Sequence, residues 1–270
     1  MLPTKFWAEM SWRDFHRTDM SKVVAVLPLA AIEQHGPHLP VGVDAFIAEG
    51  YLKRAVARAP ADLPVLFLPL QAIGKSDEHS EFPGTLTLSM ETLTRAWTEI
   101  GEGVARTGCR KLIFINSHGG NSAVIDVVAR ALRLRWRMLA VHASWRRLGY
   151  PEGLFSAHER AHGIHGGDDE TSLMLAFRPD AVRMGEARDF VSAAASMAGE
   201  FEHLRATQPV GFAWMASDLN DSGAVGDAAS ATAAKGEACA ERGADAFVGL
   251  LRDVAAFDLA RLAAGPIDWR

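Results

Sequence analysis

Residues 23–32 read Val-Val-Ala-Val-Leu-Pro-Leu-Ala-Ala-Ile, and the residues after them are Glu33-Gln34-His35-Gly36-Pro37-His38-Leu39-Pro40-Val41-Gly42-Val43-Asp44. The apolar run has the length and the branched residues of a buried strand. The residues from Ala45 to Arg58 predict a helix. Two carboxylates and two imidazoles therefore occupy a loop at the carboxyl end of a strand, which is where open α/β sheets bind their ligands.

The polar groups of this loop suit a metal ion. Glu33 and His35 are alternate residues that reach one point only in a turned loop, and Gly36-Pro37 favours such a turn. Carboxylate oxygen and imidazole nitrogen bind hard or borderline metals, and an aspartate such as Asp44 can bridge two ions. Simpler explanations remain open: Asp44 as the N-cap of the next helix, Glu33 as a solvated loop residue, and His38 as a packing or surface histidine.

Composition limits the class of protein. The chain has 270 residues, 49% of them hydrophobic, which is enough for a substantial core. Its net charge is −5 and it has no basic block, so nucleic acid is not an expected partner. Cys109 and Cys239 have neither a pairing pattern nor metal-ligand spacing, which suits a reducing compartment. The sequence shows no secretion signal and no apolar run of membrane length, so we expect a cytoplasmic protein without a membrane partner.

Strand and helix patterns alternate along the chain. Further strands are predicted at 65–70, 111–116 and 138–143, and helices at 12–16, 45–58, 89–107, 168–177 and 231–257. One more helix, after the strand at 111–116, has an apolar stripe of Val124, Val127, Val128 and Ala131. Residues 145–167 are predicted mostly as loop, and 191–230 have no clear assignment. The alternation predicts an α/β fold with a largely parallel sheet and helices on both faces, in a single domain over residues 1–270.

Ligand-type residues recur in two further loops. Residues 116–121 read Asn-Ser-His-Gly-Gly-Asn and directly follow a strand, and the two glycines allow a ligand to approach the backbone. Residues 165–172 read His-Gly-Gly-Asp-Asp-Glu-Thr-Ser and enter a helix, where Asp168 is expected as the cap and the helix dipole favours the next two acids. These structural roles account for the acids but not for His165.

The three loops together resemble the creatininase (creatinine amidohydrolase) family. The matching residues, in the family's order and spacing over about residues 23–180, are Glu33-Gln34-His35-Gly36-Pro37-His38-Leu39-Pro40 with Asp44, Phe82-Pro83-Gly84-Thr85, Asn116 with His118, and His165-Gly166-Gly167 with Glu170-Thr171-Ser172. The resemblance implies a three-layer α/β/α domain, a two-metal site and hydrolysis of a C–N bond in a cyclic or linear amide. It also implies a ring-like homo-oligomer, often a hexamer.

The resemblance also assigns metal ligands by position. Glu33, Asp44 and His118 match the residues that hold one metal ion. His35 and Asp44 match ligands of the second ion, with Asp44 as the bridge between the two.

The second ion then lacks one ligand. Creatininases proper have a glutamate two residues after the metal-binding histidine, where this chain has Gly120. Glu170, which the family pattern also carries, is the nearest candidate to fill the gap, and whether it binds metal directly is left open. His165 matches the family's catalytic histidine.

The expected substrate pocket departs from that of the creatininases proper. Those enzymes have a tyrosine and a tryptophan against the creatinine ring, at the positions of Gly119 and Ala161. Creatinine is therefore not the expected substrate, and the chain is more similar to branches that include formamidopyrimidine deformylases and the mycofactocin-system peptidase. Ser76, Glu78 and His79 lie in the loop that lines the family's pocket and, with Gly119, are candidate substrate contacts. Glu78 and His79 are equally well explained as solvated loop residues.

The implied chemistry is hydrolysis of a small amide: a cyclic amide, a formamide or a peptide-like compound. Two divalent ions, zinc with manganese or iron(II), would lower the pKa of a bridging water. His165 would pass a proton to the leaving nitrogen, because the unperturbed pKa of histidine is about 6.5. Two other classes remain open. A phosphoester hydrolase is disfavoured because the chain has no phosphate-cradling glycine motif, and a non-catalytic or mononuclear binding protein is supported by Gly120 alone.

Overall fold

In the computed structural model, which describes residues 2–207 and 209–263, four parallel strands form the main sheet. They are β1 (Val24–Leu29), β2 (Val65–Phe67), β3 (Lys111–Asn116) and β4 (Leu139–Ser144), in the order β2-β1-β3-β4. Because parallel neighbours need a crossover, the chain returns over a face of the sheet after each of the first three strands.

Helices and short strands make up much of the rest of the described chain. The helices are α1 (Trp12–Arg17), α2 (Val43–Arg58), α3 (Met90–Arg106), α4 (Ser122–Trp136), α5 (Ala157–His162), α6 (Asp168–Phe177), α7 (Ala193–Glu200), α8 (Ala216–Leu219) and α9 (Ala233–Ala256). The short strands are β5 (Asp189–Phe190), β6 (Leu204–Arg205), β7 (Val210–Gly211) and β8 (Gly226–Asp227).

The main sheet lies between two layers of helices. Helices α2, α6 and α9 pack together on one face, and α3 and α4 pack together on the other. Successive residues of β1 alternate between the two cores, with Val24 and Val26 in the first and Ala25 and Leu27 in the second. A strand buried on both faces needs apolar residues throughout, which is why β1 and β3 are nearly continuous apolar runs. The predicted three-layer α/β/α fold with a mostly parallel sheet is confirmed.

Local sequence sets the ends of α3. The Ser89 hydroxyl accepts a hydrogen bond from the Thr92 N–H at 3.1 Å, which is the predicted N-cap. Gly108 follows the helix with φ +97, a conformation that favours glycine. Between these ends, Leu93 and Trp97 are buried against the sheet, and each such side chain contributes roughly 1.5–3 kcal/mol.

The predicted stripe of α4 is partly wrong. Val127, which the pattern places on the buried face, is 53% exposed. The buried stripe is rotated toward Ile125, because Ile125 and not Val127 packs with the residues of the second core, and its members are Val124, Ile125, Val128 and Leu132.

Of two predictions between β4 and α6, one is confirmed and one is wrong. Residues 145–167 are mostly loop, as predicted, but they also contain α5, whose N-cap Ser156 accepts from the Glu159 N–H at 3.0 Å. Asp168 is not the cap of α6, because Gly167 holds that position. The Asp168 carboxylate instead accepts a hydrogen bond from the Ser172 hydroxyl and pairs with Lys235 of α9.

Residues 191–230, which no sequence pattern assigns, form the short elements from α7 to β8. The single domain over residues 1–270 stays a prediction, since residues 1, 208 and 264–270 lie outside the described chain. None of the helices described here combines the length and the apolar character that crossing a membrane requires.

Candidate active site

A cavity of about 520 Å³ opens at the carboxyl ends of β1 and β3. Leu29 and Asn116, the last residues of these strands, are paired across the sheet, so the loops 33–44 and 116–121 begin side by side. The loop 165–170 reaches the same cavity from the start of α6. The ionisable side chains that line it are Glu33, Asp44, Tyr51, Glu78, His79, His118, Arg146, Arg147, Tyr150, His165, Asp169 and Glu170.

Glu33 lies at the centre of the site. It is fully buried, so its explanation as a solvated loop residue is wrong. One carboxylate oxygen, Oε1, lies 3.1 Å from His118 Nδ1, 3.4 Å from His79 Nε2 and 3.7 Å from His165 Nδ1. Neither oxygen makes a hydrogen bond to any described group. A buried carboxylate surrounded by imidazole nitrogens has the environment of a metal ligand.

Asp44 is the second residue of α2, and Gly42 holds the N-cap position. The explanation of Asp44 as a helix cap is therefore wrong. Its side chain is buried, with Oδ2 at 3.6 Å from His118 Nδ1 and 4.0 Å from His35 Nε2. Because Oδ2 lies between histidines from two loops, Asp44 has the placement that a bridging ligand needs.

Backbone carbonyl groups orient His35 and His118. His35 Nδ1 donates to the Glu33 carbonyl oxygen at 3.0 Å, and His118 Nε2 donates to the Lys75 carbonyl oxygen at 2.7 Å. When either ring is neutral, its other nitrogen carries a lone pair, and in both cases that nitrogen faces the carboxylates. Carbonyl groups that fix the ring in this way are typical partners of metal-binding histidines.

His165 and Glu170 complete the cluster. His165 Nε2 donates to the Gln34 carbonyl oxygen at 2.5 Å, which leaves the Nδ1 lone pair facing the cavity. Glu170 Oε2 accepts from the Gly166 N–H at 2.6 Å and lies 3.8 Å from His35 Nε2. His35, His165 and Glu170 therefore form a second ligand group beside that of Glu33, His35 and Asp44.

Charge is crowded in this site. Burial and the nearby Glu33 carboxylate raise the pKa of Asp44 well above its usual value, and burial also raises the pKa of Glu170. Burial opposes the charged form of His118, but the Glu33 and Asp44 carboxylates outweigh it and raise its pKa to about 10. In the absence of a metal ion the Glu33 and Asp44 carboxylates hold a proton on His118, at the position that a divalent cation would take.

The orphaned atoms support the same conclusion. Both oxygens of Glu33, Oδ2 of Asp44 and Nε2 of His35 are buried and without a hydrogen bond to the described chain. Leaving such atoms unpaired is costly, typically about 1–3 kcal/mol each and more when they are charged. Oxygen and imidazole donors suit zinc, manganese or iron(II), so the residues present fit the expected metals.

The missing glutamate at position 120 has a steric explanation. A Cβ at Gly120 would lie 2.3 Å from the Lys75 carbonyl oxygen and 2.6 Å from Glu78 Oε1. The loop that carries Lys75 thus fills the space that a side chain would need. At Gly119, by contrast, no described atom lies within 4 Å of an added Cβ, so this wall of the cavity is open.

Glu78 and His79 line the cavity, whereas Ser76 is not among its lining residues. Ser76 and His79 are buried, so His79 is not a solvated residue. The Glu78 side chain is 22% exposed and its Oε1 lies 3.6 Å from His118 Nε2. His38 is a packing histidine, whose Nε2 donates to the Gly166 carbonyl oxygen and which stacks on Phe190.

Sequence reasoning missed several cavity residues. Arg146, Arg147, Tyr150 and Trp214 line the cavity but belong to no motif. It also missed Gln34, whose buried amide connects the loops, although that residue stands inside the first motif.

Fold and site together define a three-layer α/β protein in which ligand-type side chains gather at the carboxyl ends of parallel strands. The family model for creatinine amidohydrolase, Creatininase, matches residues 8–251. The chain therefore belongs to the creatininase family, whose amidohydrolases act on C–N bonds.

Two relatives are similar over most of the chain. The mycofactocin precursor peptide peptidase of Mycobacterium tuberculosis is 34% identical over 217 residues, 78% of this chain and 77% of the relative. The creatinine amidohydrolase of Pseudomonas putida is 33% identical over 207 residues, 70% of this chain and 78% of the relative.

Solved creatininases share the fold. One described as the Mn form and one described as the Zn-Zn type each superpose with a TM-score of 0.74 at 27% identity. Each superposition covers 94% of this chain, together with 100% of the Mn form and 99% of the Zn-Zn type.

Proposed function

We propose that this protein is a binuclear metal-dependent amidohydrolase that cleaves a C–N bond in a linear, peptide-like amide or formamide. The observation that carries the proposal is the convergence of Glu33, His35, Asp44, His118 and Glu170, several with orphaned buried atoms. Glu33, Asp44 and His118 would hold one ion. His35, Asp44 and Glu170 would hold the other, with Glu170 in place of the glutamate missing at position 120.

The metal pair, zinc with manganese or iron(II), would activate water and polarise the amide carbonyl group. His165 supplies the proton transfer. Its Nδ1 faces the cavity with a lone pair and can accept a proton from the attacking water. Water oxygen bonds to the carbonyl carbon, the C–N bond breaks, and the same proton passes from His165 to the leaving nitrogen.

The open wall at Gly119 supports a substrate that extends beyond a small ring. Ala161 lies in α5 and is not among the described residues that line the cavity. Neither Gly119 nor Ala161 therefore supplies the aromatic ring that the creatininases proper have at that position. The similarity to a peptidase of a peptide precursor favours a peptide-like substrate over creatinine. Ser76, Glu78, His79 and Gly119 are the proposed substrate contacts.

The test is metal content per chain by elemental mass spectrometry, on protein purified without added metal, followed by a hydrolysis panel of N-formylglycine, 2-pyrrolidinone and alanyl-alanine dipeptide. We expect about two divalent ions and cleavage of N-formylglycine or the dipeptide, whereas cleavage of 2-pyrrolidinone alone would contradict a linear substrate. His165→Ala should keep the ions and lose turnover by about 10²–10⁴-fold, whereas the exposed His158→Ala should behave as wild type. No metal, even after addition of zinc, manganese and iron(II), would favour the binding-protein alternative.

The cytoplasmic location and the homo-oligomer, a hexamer by family resemblance, stay predictions. Light scattering on purified protein measures the oligomer size directly.

A further inference from the structure

The side chain of Gln34 is held by backbone groups that leave its amide one orientation. Its Oε1 accepts from the Gly36 N–H at 2.8 Å, and its Nε2 donates to the Gly223 carbonyl oxygen at 2.9 Å. A backbone N–H can only donate and a carbonyl can only accept. Exchanging the oxygen and nitrogen of the amide would break both bonds, so the hydrogen-bond network assigns the amide without ambiguity.

This orientation determines which nitrogen of His79 carries the hydrogen. Gln34 Nε2 lies 2.8 Å from His79 Nδ1. Since the amide nitrogen donates, Nδ1 must accept with its lone pair, and the neutral ring carries its hydrogen on Nε2. That Nε2–H lies 3.4 Å from Glu33 Oε1, and His79 lines the cavity.

His79 therefore differs from the three other histidines of the site. His35, His118 and His165 each donate one N–H to a backbone carbonyl, so in its neutral form each ring presents a lone pair to the carboxylates. His79 presents an N–H instead. Although its distance alone groups it with Glu33 and His165 as a possible ligand, a protonated nitrogen cannot bind a metal ion.

We propose that His79 is a catalytic hydrogen-bond donor and that Gln34 is the positioning residue that keeps the hydrogen on His79 Nε2. This inference rests on the proposed function. The Nε2–H would bind the carbonyl oxygen of the amide, on which negative charge develops as water attacks, and it would keep its proton throughout. A donor held in place before reaction stabilises such charge without reorganisation.

The structure also shows what keeps Gln34 in position. Gly223 has φ +80, and a Cβ there would lie 2.3 Å from Gln34 Oε1. Only glycine at this position lets the backbone approach the amide so closely. A segment distant in sequence thus controls the hydrogen-bonding state of a residue in the cavity.

The first test compares His79→Leu with His79→Gln, whose amide keeps an N–H at about the position of Nε2. His79→Leu should lower kcat by about 10²–10³-fold on the panel compound that wild type cleaves fastest, with little change in KM. His79→Gln should recover at least about tenfold of that loss. Both variants should keep the metal content of wild type. Loss of metal in both variants, or wild-type kcat in His79→Leu, would overturn the proposal.

The second test needs no substrate. In protein labelled with ring-15N histidine, the His79 signals are assigned by their absence in His79→Gln, and 15N shifts distinguish protonated from unprotonated nitrogen. We expect the hydrogen on Nε2 in wild type, and a mixture of both tautomers in Gln34→Met. Gln71→Met is the matched control, because the Gln71 side-chain amide donates to the Pro69 carbonyl oxygen, away from the site, and makes no other hydrogen bond within the described chain. A wild-type hydrogen on Nδ1 would refute the inference even if the chain is an active amidohydrolase, whereas absent metal and absent turnover would refute the proposed function.

Discussion

The loops that carry the proposed metal ligands and the segment that covers them are built in opposite ways. Loops 33–44 and 116–121 extend from β1 and β3, two six-residue strands that are buried along their whole length. The covering segment, residues 184–207 and 209–230, has strands of two residues and two clusters of four buried apolar side chains. Nevertheless its Gly223 carbonyl holds Gln34, and its Val225 pairs with the backbone of His165.

The difference teaches that placing a ligand and orienting it are separate tasks. A strand in a packed sheet fixes where a loop begins, and that requires many buried side chains. Orienting an imidazole or an amide requires one hydrogen bond from a backbone group at the correct distance. A segment with little core can therefore control the chemistry of a site that rests on a large core.

The largest effect, loss of metal ions, should come from substitutions in the loops that carry the proposed ligands. Asp44→Ala should release both metal ions, whereas Glu170→Ala should cost at most one, because Asp44 lies near both His35 and His118 while Glu170 lies near His35. Elemental mass spectrometry of the two variants measures this, with Asp62→Ala, an exposed carboxylate, as the control. Retention of two ions in Asp44→Ala would contradict the bridging assignment.

A Leu→Ala substitution in each region compares how tightly the second core and the covering segment are packed. Leu112→Ala in β3 should lower the free energy of unfolding by about 4 kcal/mol, because the large second core cannot collapse around the cavity. Leu219→Ala in the covering segment should cost about 2 kcal/mol, since its small cluster borders half-buried neighbours that can move. Urea unfolding at equilibrium measures both values. Equal losses would show that the covering segment is as tightly packed as the sheet.

The smallest change in stability should have a disproportionate effect on activity. Gly223→Ala and Gly149→Ala both place a side chain at positive φ, +80 and +90, which costs about 1–2 kcal/mol. At Gly149 no described atom lies within 4 Å of the added Cβ, whereas at Gly223 it meets Gln34. The melting temperature should therefore fall in both variants, and further in Gly223→Ala, where the Cβ must displace the Gln34 amide, whereas hydrolysis should fall only in Gly223→Ala. Unchanged hydrolysis in both would separate Gln34 from the reaction.

The layers of the fold could be predicted because their signals are local. The apolar runs at β1 and β3, the Ser89 cap and the glycine after α3 each act within a few residues. The buried face of α4 was predicted wrongly because contacts with residues distant in sequence determine it. Val127 and Ile125 differ little in sequence pattern, and packing against the second core chose between them.

The site divides in the same way. Sequence alone proposed Glu33, His35, Asp44, His118, His165 and Glu170 as a set, because the three loops that carry them resemble the creatininase family in motif and spacing. It could not tell whether Gly120 was a loss of function or a steric requirement. That answer depends on the Lys75 carbonyl oxygen, 45 positions earlier in the chain, which the tertiary fold places against it.

The sequence by itself determined the family, the layered fold and the chemical types of the site's side chains, because motif spacing and apolar periodicity are properties of neighbouring residues. Only the tertiary structure decided which nitrogen of each histidine faces the cavity and that Gln34 holds His79. Those outcomes depend on backbone carbonyl groups such as that of Gly223, which every residue possesses and no sequence pattern distinguishes.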